Sequence, residues 1–405
     1  MLKSLMQWYE ILLTYNFHAT HNHLTSILAK AIINSMVLKD NNEILTCPFC
    51  NFECLCWCPE VMNTTELICS GCSRSFSSLL GIVDFRDTEI DRTEAFSIAA
   101  DRLVAYQLSI VFDKVTTFNE LYDVYKLLIN RSFHEVNTNL DIIEQLHIKY
   151  KSSQKYLSDS QLAHGKAILE KIKNYVSEIN HHMPSNSIAL ENGCGLGLFI
   201  DGFSAHFKKL VVLDFSLSYL ILAKKIVEER MLDNVTLVCG SVERLPFKAQ
   251  TFDFIHSNNV IEHVSNQKAL FAEAKRVLKP KALFFVMSPN RFSAYYEPHF
   301  RIPFYGFIPK LIRRKIIWIW QHRNVDDISL LSLSELRAMA SDQFGENIYV
   351  SFIPRYLTKS VTGGYIRDFL VRSLNSNILG PLANLLINRL FLGLMPYHVV
   401  LCFKK

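Results

Sequence analysis

Short apolar runs alternate with longer stretches of helical periodicity along the second half of the chain. The run at 210–213 is too short for a helix and ends in a polar residue, which is typical of a buried strand. Between such runs, apolar residues recur at roughly every third or fourth position, as in 216–232 and 266–278, and this spacing predicts helices. The predicted strands begin at Ser187, Leu210, Thr236, Thr251, Ala282, Ile348 and His398.

The first part of the chain has a different pattern. Residues 87–159 show no strand pattern, and apolar residues such as Leu121, Val124 and Leu128 recur there at helical spacing. Residues 1–42 are also expected to be helical. We therefore expect an N-terminal helical segment over 1–42, a cysteine-rich segment over 43–86, a helical connector or cap over 87–159, and a domain of strands and helices over 160–405.

The first predicted strand of that domain leads into a glycine-rich turn that reads Glu191-Asn-Gly-Cys-Gly-Leu-Gly197. Glycine has no Cβ, so the backbone can turn sharply and a ligand can lie against it at the carboxyl end of the strand. A dinucleotide site needs a further glycine at position 198, where this chain has Leu198. The turn therefore predicts a nucleotide-like ligand and disfavours an NAD-dependent oxidoreductase.

Three later segments follow this turn in a recognisable order. The second strand ends in Asp214, the third leads into Ser241, and the fourth ends near Asn258. Together with the glycine turn, these segments resemble the four successive motifs of class I S-adenosylmethionine-dependent methyltransferases. The resemblance is strongest over residues 160–290.

The resemblance implies both a fold and a cofactor. The implied fold is α/β, a Rossmann-like class I methyltransferase fold whose seven-stranded sheet is mostly parallel with an antiparallel last strand. The implied cofactor is S-adenosyl-L-methionine, whose ribose hydroxyls would bond to Asp214 while Phe215 packs on the adenine. The family commonly has Asp at the position of Ser241, whose neutral hydroxyl accepts a weaker hydrogen bond. The expected cofactor-binding residues are Glu191, Gly193, Gly195, Gly197, Asp214, Phe215, Ser241, Val242 and Asn258.

An aromatic segment follows the fifth predicted strand. In this fold an insertion there covers the transferred methyl group, so residues 288–325 are expected to form an acceptor lid suited to a large or partly apolar acceptor. An oxygen acceptor benefits from a general base, for which His263 and His299 are the candidates. The alternative for His263 is that it only braces its loop, and a neutral amine or carbon acceptor needs no strong base.

Residues 310–321 predict a helix with basic residues on one side. Lys310, Arg313 and Arg314 cluster there, and apolar residues lie mostly opposite. One interpretation is a helix at a membrane surface. The interpretation we favour is a helix that packs its apolar face on the domain and leaves a solvated basic side.

Seven of the ten cysteines lie between positions 47 and 72. Two C-x2-C pairs separated by eighteen residues have the spacing of a tetrahedral zinc site, and a metal would stabilise a segment too short for a large core. A disulfide cluster, the alternative, needs an oxidising compartment. The segment resembles zinc ribbons fused ahead of methyltransferase domains, and chelation is expected to unfold the ribbon without abolishing cofactor binding. The expected ligands of a structural Zn²⁺ are Cys47, Cys50, Cys69 and Cys72, with Cys54, Cys56 and Cys58 surplus and able to exchange with them.

Charge and composition bear on the partner. A length of 405 residues leaves room for two or three domains, and the 49% hydrophobic content permits a large core. The net charge of +5 does not decide between possible partners. Between the first and last of those clustered cysteines there is no Lys or Arg, whereas Glu53, Glu60 and Glu66 are acidic. A ribbon that holds RNA needs a basic surface, so an rRNA or tRNA methyltransferase is the less favoured alternative.

The chain shows no signal peptide and no predicted transmembrane span. Polar residues such as Asn16 and His18 interrupt the apolar stretch at 11–29, and Arg389 and Pro396 interrupt the one at 377–403. We therefore expect a cytoplasmic methyltransferase of a small-molecule, glycan or lipid-linked acceptor, with peripheral membrane contact left open. A non-catalytic protein that keeps the fold is a further alternative, which the intact glycines disfavour.

Overall fold

The structure is a computed structural model that describes residues 44–53, 55–61, 64–86, 92–130, 159–178, 182, 184, 186–293, 302, 304–321, 328–351 and 397–405. The chain divides into two compact units, Met1–Leu45 and Thr46–Lys405. Almost all described residues belong to the second unit, whose fold follows. The four segment boundaries expected from the sequence stay predictions.

Strands and helices alternate through the second unit, as the hydrophobic pattern predicts. The strands are β1 (Leu55–Val61), β2 (Thr64–Cys69), β3 (Ser75–Leu79), β4 (Ile82–Asp84), β5 (Ile188–Asn192), β6 (Lys209–Asp214), β7 (Val235–Cys239), β8 (Phe252–Asn258), β9 (Leu278–Pro289), β10 (Ile348–Ser351) and β11 (Tyr397–Phe403). The helices are α1 (Arg92–Phe112), α2 (Phe118–Asn130), α3 (Asp159–Glu178), α4 (Ile200–Ser204), α5 (Leu217–Glu229), α6 (Gln267–Val277), α7 (Lys310–Gln321) and α8 (Leu333–Phe344).

These strands form one sheet in the order β1-β2-β3-β4-β7-β6-β5-β8-β9-β11-β10. Neighbours from β7 to β9 are parallel, and β11, the last strand, is antiparallel to both β9 and β10. This confirms the class I methyltransferase fold expected for the strands from β5 onward. Parallel strands end at the same edge, so the residues that follow β5, β6 and β8 are brought together there.

The cysteine-rich segment extends this sheet. Its last strand, β4, pairs in parallel with β7 through Val83 and Val238 and through Asp84 and Cys239. Strands β3, β2 and β1 then continue outward as antiparallel neighbours. The sequence pattern did not predict this junction, because pairing between distant segments depends on tertiary packing.

Helices cover both faces of the sheet. Side chains alternate between the faces along a strand, so neighbouring residues of β9 contact different layers. Phe284 packs against Phe271 of α6 and Phe344 of α8, at ring-centroid distances of 5.7 and 6.4 Å. Phe285 belongs to the main core on the other face, which includes residues of α1 to α5. No helix in the described part of the chain is long and apolar enough to cross a bilayer.

The helical connector packs on the methyltransferase-like part through α5. The Lys225 ammonium, at 6% exposure, donates a hydrogen bond to the carbonyl oxygen of Phe112 at 3.0 Å. The backbone N–H of Phe118 donates to a Glu229 carboxylate oxygen at 2.9 Å. These bonds join both ends of the α1–α2 turn to α5, so the connector is part of the same compact unit.

Candidate functional site

A cavity of about 730 Å³ lies at the carboxyl ends of β5, β6 and β8. Ligand pockets typically have volumes of about 300–1,000 Å³, so it can hold a nucleoside-sized molecule. The structure brings together most of the predicted site residues in its lining: Gly193, Gly195, Asp214, Phe215, Ser241, Val242, Asn258 and His263. Glu191 and Gly197 are not in that lining. His299 lies outside the described residues.

The three glycines of the turn do different things. All have positive φ, at +82° for Gly193, +50° for Gly195 and +78° for Gly197. A Cβ on Gly193 would lie 2.4 Å from Val260 Cγ2, whereas a Cβ on Gly195 would meet nothing within 4 Å. A Cβ on Gly197 would lie 2.9 Å from Ile226 Cδ1 of α5. Gly195 therefore keeps space open beside the cavity, and Gly197 permits helix packing.

Asp214 holds the turn in place. Its Oδ2 accepts a hydrogen bond from Gly195 N at 2.8 Å, and its Oδ1 accepts one from Ser216 N at 2.9 Å. The side chain lines the cavity although the residue is only 9% exposed, and burial raises the pKa of its carboxyl group to about 6. Each carboxylate oxygen can accept a further bond, so the group can bind ligand hydroxyls.

Glu191, expected among the cofactor residues, lies in a buried pair. Its Oε2 is 2.8 Å from His256 Nδ1, and the two side chains are 1% and 0% exposed. The His256 ring packs between Phe199 and Phe285, with centroids 4.7 and 5.2 Å away. Burial raises the pKa of Glu191, while the neighbouring His256 opposes that shift. Glu191 thus lies in the core, outside the cavity lining. Sequence reasoning missed His256, whose signal was a lone histidine in an apolar strand.

The other end of the cavity carries an amide and a histidine. Asn258 ends β8, and its buried Oδ1 has no hydrogen-bond partner among the described residues. His263 ends a 3₁₀ turn, Ile261–His263, and is exposed in the cavity lining. Ser241 lies nearby in the lining, where its Oγ accepts a hydrogen bond from Glu243 N at 3.2 Å.

These features fit an adenosyl cofactor. A buried carboxylate with spare acceptor capacity suits two vicinal hydroxyls. The open space at Gly195 admits a ligand against the backbone, and Phe215 offers an exposed ring beside Asp214. The unpartnered Asn258 oxygen needs a donor, which a bound ligand or water can supply.

The region expected to form the lid is partly described. Phe292 and Phe307 pack with ring centroids 5.3 Å apart, and Arg291 forms an ion pair with Glu335 of α8. Arg291 also donates from Nε to the carbonyl oxygen of Leu330 at 2.9 Å. The segment after β9 is thereby anchored to the neighbouring helix. The aromatic residues at 295–300 lie outside the described residues, and the lid over 288–325 stays a prediction.

A buried ion-pair cluster that the sequence did not indicate adjoins the cavity. Arg86 donates to Asp84 and to Asp101, in each case at 2.7 Å, and to the carbonyl oxygen of Phe215 at 2.9 Å. Asp101 in turn accepts from the N–H groups of Leu217 and Ser218, the first residues of α5. The residues just after β4 are thus bonded to the backbone beside the cavity.

Four thiols form a compact cluster at the start of the second unit. Their Sγ atoms all lie within 4.8 Å of one another, with Cys47 and Cys72 3.7 Å apart and Cys50 and Cys69 3.5 Å apart. A disulfide would need about 2.05 Å, so these are free thiols. A tetrahedral zinc site with Zn–S bonds of about 2.3 Å has sulfur–sulfur edges of about 3.8 Å, which this arrangement fits. Cys54 lies outside the described residues.

Comparison with known proteins finds similarity over the middle of the chain. A family model described as a methyltransferase domain matches residues 190–286, from β5 to β9. An uncharacterised protein of Methanocaldococcus jannaschii is 33% identical over 113 residues, which are 28% of this chain and 45% of that protein. The ubiquinone biosynthesis O-methyltransferase of Coxiella burnetii is 32% identical over 107 residues, 26% of this chain and 45% of that protein.

A solved structure gives a fold-level comparison. Phosphoethanolamine N-methyltransferase 2 of Haemonchus contortus, in complex with S-adenosyl-L-methionine, has a TM-score of 0.39 and 16% identity, over 58% of this chain and 52% of that chain. The chain thus spans about half the length of the relatives it matches, which leaves its own activity to be inferred from its site.

Proposed function

We propose that this protein, whose residues 190–286 form a methyltransferase domain of the class I fold, transfers a methyl group from S-adenosyl-L-methionine to a small-molecule, glycan or lipid-linked acceptor. The observation that carries this proposal is the cavity that joins Gly195, Asp214 and Asn258 at one edge of the parallel sheet. The relatives named as O-methyltransferases of ubiquinone biosynthesis and of malonyl-[acyl-carrier protein] support a small or carrier-linked acceptor.

Each cavity residue has a task in this proposal. Asp214 accepts the ribose hydroxyls, the space at Gly195 admits the ligand against the turn, and Phe215 packs on the adenine. Asn258 accepts a hydrogen bond at the other end. When bound, the cofactor supplies an electrophilic methyl group on a positively charged sulfur. The main task of the protein is then alignment, which can contribute about 7–11 kcal/mol to lowering a barrier.

Calorimetry with S-adenosylmethionine tests the cofactor assignment. The wild-type protein should bind, and Asp214→Ala should weaken binding by about 1.5–3 kcal/mol through loss of charge-assisted hydrogen bonds. Asp233→Ala, at an exposed position outside the cavity lining, is the control and should bind like the wild type. Equal affinity of the two variants would contradict the assignment.

The acceptor is the less determined half of the proposal. Incubating cell extracts with the protein and methyl-labelled cofactor, followed by mass spectrometry, identifies labelled products directly.

His263 is proposed as the general base if the acceptor is a hydroxyl, because it is exposed in the lining at the Asn258 end. His263→Ala should then fold normally and regain rate at higher pH, where the hydroxyl loses its proton without help. Loss of folding instead of rate would indicate a bracing role.

We further propose that the four clustered thiols hold one structural Zn²⁺. Four thiolates leave no open coordination position, so the ion would stabilise the segment and take no part in methyl transfer. Metal analysis should return one zinc per chain in the wild type and none in Cys69→Ser. The Cys402→Ser variant, at a buried thiol of β11, is the control and should retain the metal.

A further inference from the structure

Helix α7 exposes most of its apolar side chains. It buries Ile317, which packs with Ile302, Tyr305 and Leu330 in a small satellite core. On the helix and the preceding turn, however, six large apolar residues are between 50% and 78% exposed. We call this surface the α7 patch: Phe304, Phe307, Leu311, Ile312, Trp318 and Ile319. The favoured expectation, that the apolar face of this helix packs on the domain, is therefore wrong for Leu311, Ile312, Trp318 and Ile319.

Cationic residues lie among those of the α7 patch, and acidic residues are absent from this stretch of the sequence. Residues 304–321 include no Asp or Glu. Leu311, Lys315 and Trp318 are spaced by four and three positions, so they share one face of the helix, and Lys315 is exposed between the two apolar side chains. Arg314 is exposed beside them. Arg313 instead lies over the Tyr305 ring, 4.5 Å from its centroid, on the packed side.

The turn before α7 packs closely against the segment that follows β9. The backbone of Gly306 lies so near that segment that a Cβ on Gly306 would be 2.0 Å from the Arg291 carbonyl oxygen. Arg291 follows β9 by two residues, and Met287 of β9 lines the cavity. A surface that binds the α7 patch is therefore held in a defined relation to the site.

We propose that the α7 patch docks on the surface of an anionic lipid bilayer. Lysine is depleted in the cores of protein–protein interfaces. A face with Lys315 at its centre is therefore a poor match for a protein partner. At a bilayer, by contrast, a lysine extends its ammonium to the headgroups while neighbouring Leu and Trp side chains insert. Exposed Lys315 and Arg314, in a stretch of sequence (304–321) without Asp or Glu, complement negative headgroups. This role in docking rests on the proposed function and deepens it, because docking would present the site to a lipid-borne acceptor.

Vesicle binding by the purified 405-residue protein tests this proposal without cofactor or acceptor. Co-sedimentation is measured with phosphatidylcholine vesicles that contain or lack phosphatidylglycerol. The wild type should bind the anionic vesicles, and the double variant Leu311→Glu with Trp318→Glu should bind at least about tenfold more weakly, because it places two carboxylates where apolar side chains would insert. Tyr106→Glu, at an exposed position of α1, is the matched control and should bind like the wild type.

A second variant separates the charges from the apolar contacts. Arg314→Gln with Lys315→Gln should weaken binding to anionic vesicles and leave the weaker binding to neutral vesicles unchanged. Wild-type protein that sediments with neither vesicle, or a Glu variant that binds as well as Tyr106→Glu, overturns the proposal. So does a wild-type dimer that the Glu variant lacks, without vesicle binding, since the patch would then join protein chains. Calorimetry with S-adenosylmethionine, done without vesicles, tells a failure of docking from a failure of the proposed function.

Discussion

At the residue scale, the turn after β5 separates residues that face a ligand from residues that only permit the fold. Gly195 and Gly197 belong to the same Gly-x-Gly-x-Gly pattern in the sequence, and both were expected to bind the cofactor. The structure gives them different neighbours: open space at Gly195 and the Ile226 side chain at Gly197. This difference decides what a substitution at each position should do.

Substitutions at these two glycines should have different effects. Gly195→Leu should place a side chain beside the cavity and abolish binding of S-adenosylmethionine, at a stability cost of about 1–2 kcal/mol for its left-handed backbone. Gly197→Leu should lower stability by more, because the new side chain must also displace Ile226 of α5. Urea unfolding and calorimetry of both variants check this. Comparable losses of stability in the two proteins would be inconsistent with it.

The buried carboxyl of Asp214 should make cofactor binding depend on pH. Its pKa of about 6 means that the group becomes protonated in the unliganded protein as pH falls below that value. A protonated carboxyl accepts ribose hydroxyls less well, so affinity should fall as pH drops from 7 to 5, by up to about tenfold per unit below the pKa. Calorimetry across this range measures it. In Asp214→Asn, which cannot titrate, affinity should be weak and nearly independent of pH.

At the element scale, strand β4 and the Arg86 side chain help to join the cysteine-rich segment to the cofactor side. Strand β4 pairs in parallel with β7. Arg86, two residues after β4, bonds both Asp101 and the Phe215 carbonyl. The expectation that chelation does not abolish cofactor binding treated the ribbon as remote. Because Arg86 bonds the carbonyl of Phe215, the residue expected to contact adenine, metal loss should weaken cofactor binding without abolishing it.

Two arginines that share one partner test this junction. Arg86→Met should destabilise the protein by about 3–5 kcal/mol, because it leaves buried Asp84 and partly buried Asp101 without their main cation. Arg102→Met removes the other cation of Asp84, but the Arg102 side chain is 36% exposed, so its loss should cost about 1 kcal/mol or less. Urea unfolding gives both values, and calorimetry should show weaker cofactor binding for Arg86→Met only. Similar costs for the two substitutions would speak against the cluster as the junction.

At the scale of the whole molecule, one sheet carries the core and a set of buried titratable groups. His398 of β11 is 1% exposed, and burial lowers its pKa to about 4. The folded protein thus keeps this histidine neutral where the unfolded chain would protonate it. Glu191 and Asp214 have raised pKa values in the same sheet, which act on stability in the opposite direction.

His398 should make the fold sensitive to acid. Its contribution to stability is complete above pH 6.5 and is lost as pH falls toward 4, by up to roughly 3 kcal/mol. Because Asp214 titrates with the opposite sign between about pH 6 and 4, the quantity to measure is the difference in unfolding free energy between wild type and His398→Gln. As pH falls, the wild type should lose stability relative to His398→Gln.

The sequence by itself determined which segments become strands and helices of the methyltransferase domain and which residues meet at the cavity. Hydrophobic period, the glycines and the polar residues that end strands are local signals, and parallel strands bring their carboxyl ends together in any such sheet. Asp214, Ser241 and Asn258 were expected at the site because their segments resemble successive motifs of class I methyltransferases. Four cysteines were found as well, because ligand spacing is also local.

Only the tertiary structure decided which of these residues face a ligand and which face the core. It turned Glu191 toward His256, set Gly197 against α5, joined β4 to β7 and left the apolar side of α7 exposed. Each of these outcomes depends on packing between segments far apart in the chain. Local periodicity specifies that a side has apolar residues, but the neighbour that covers them, or fails to, is set by the fold as a whole.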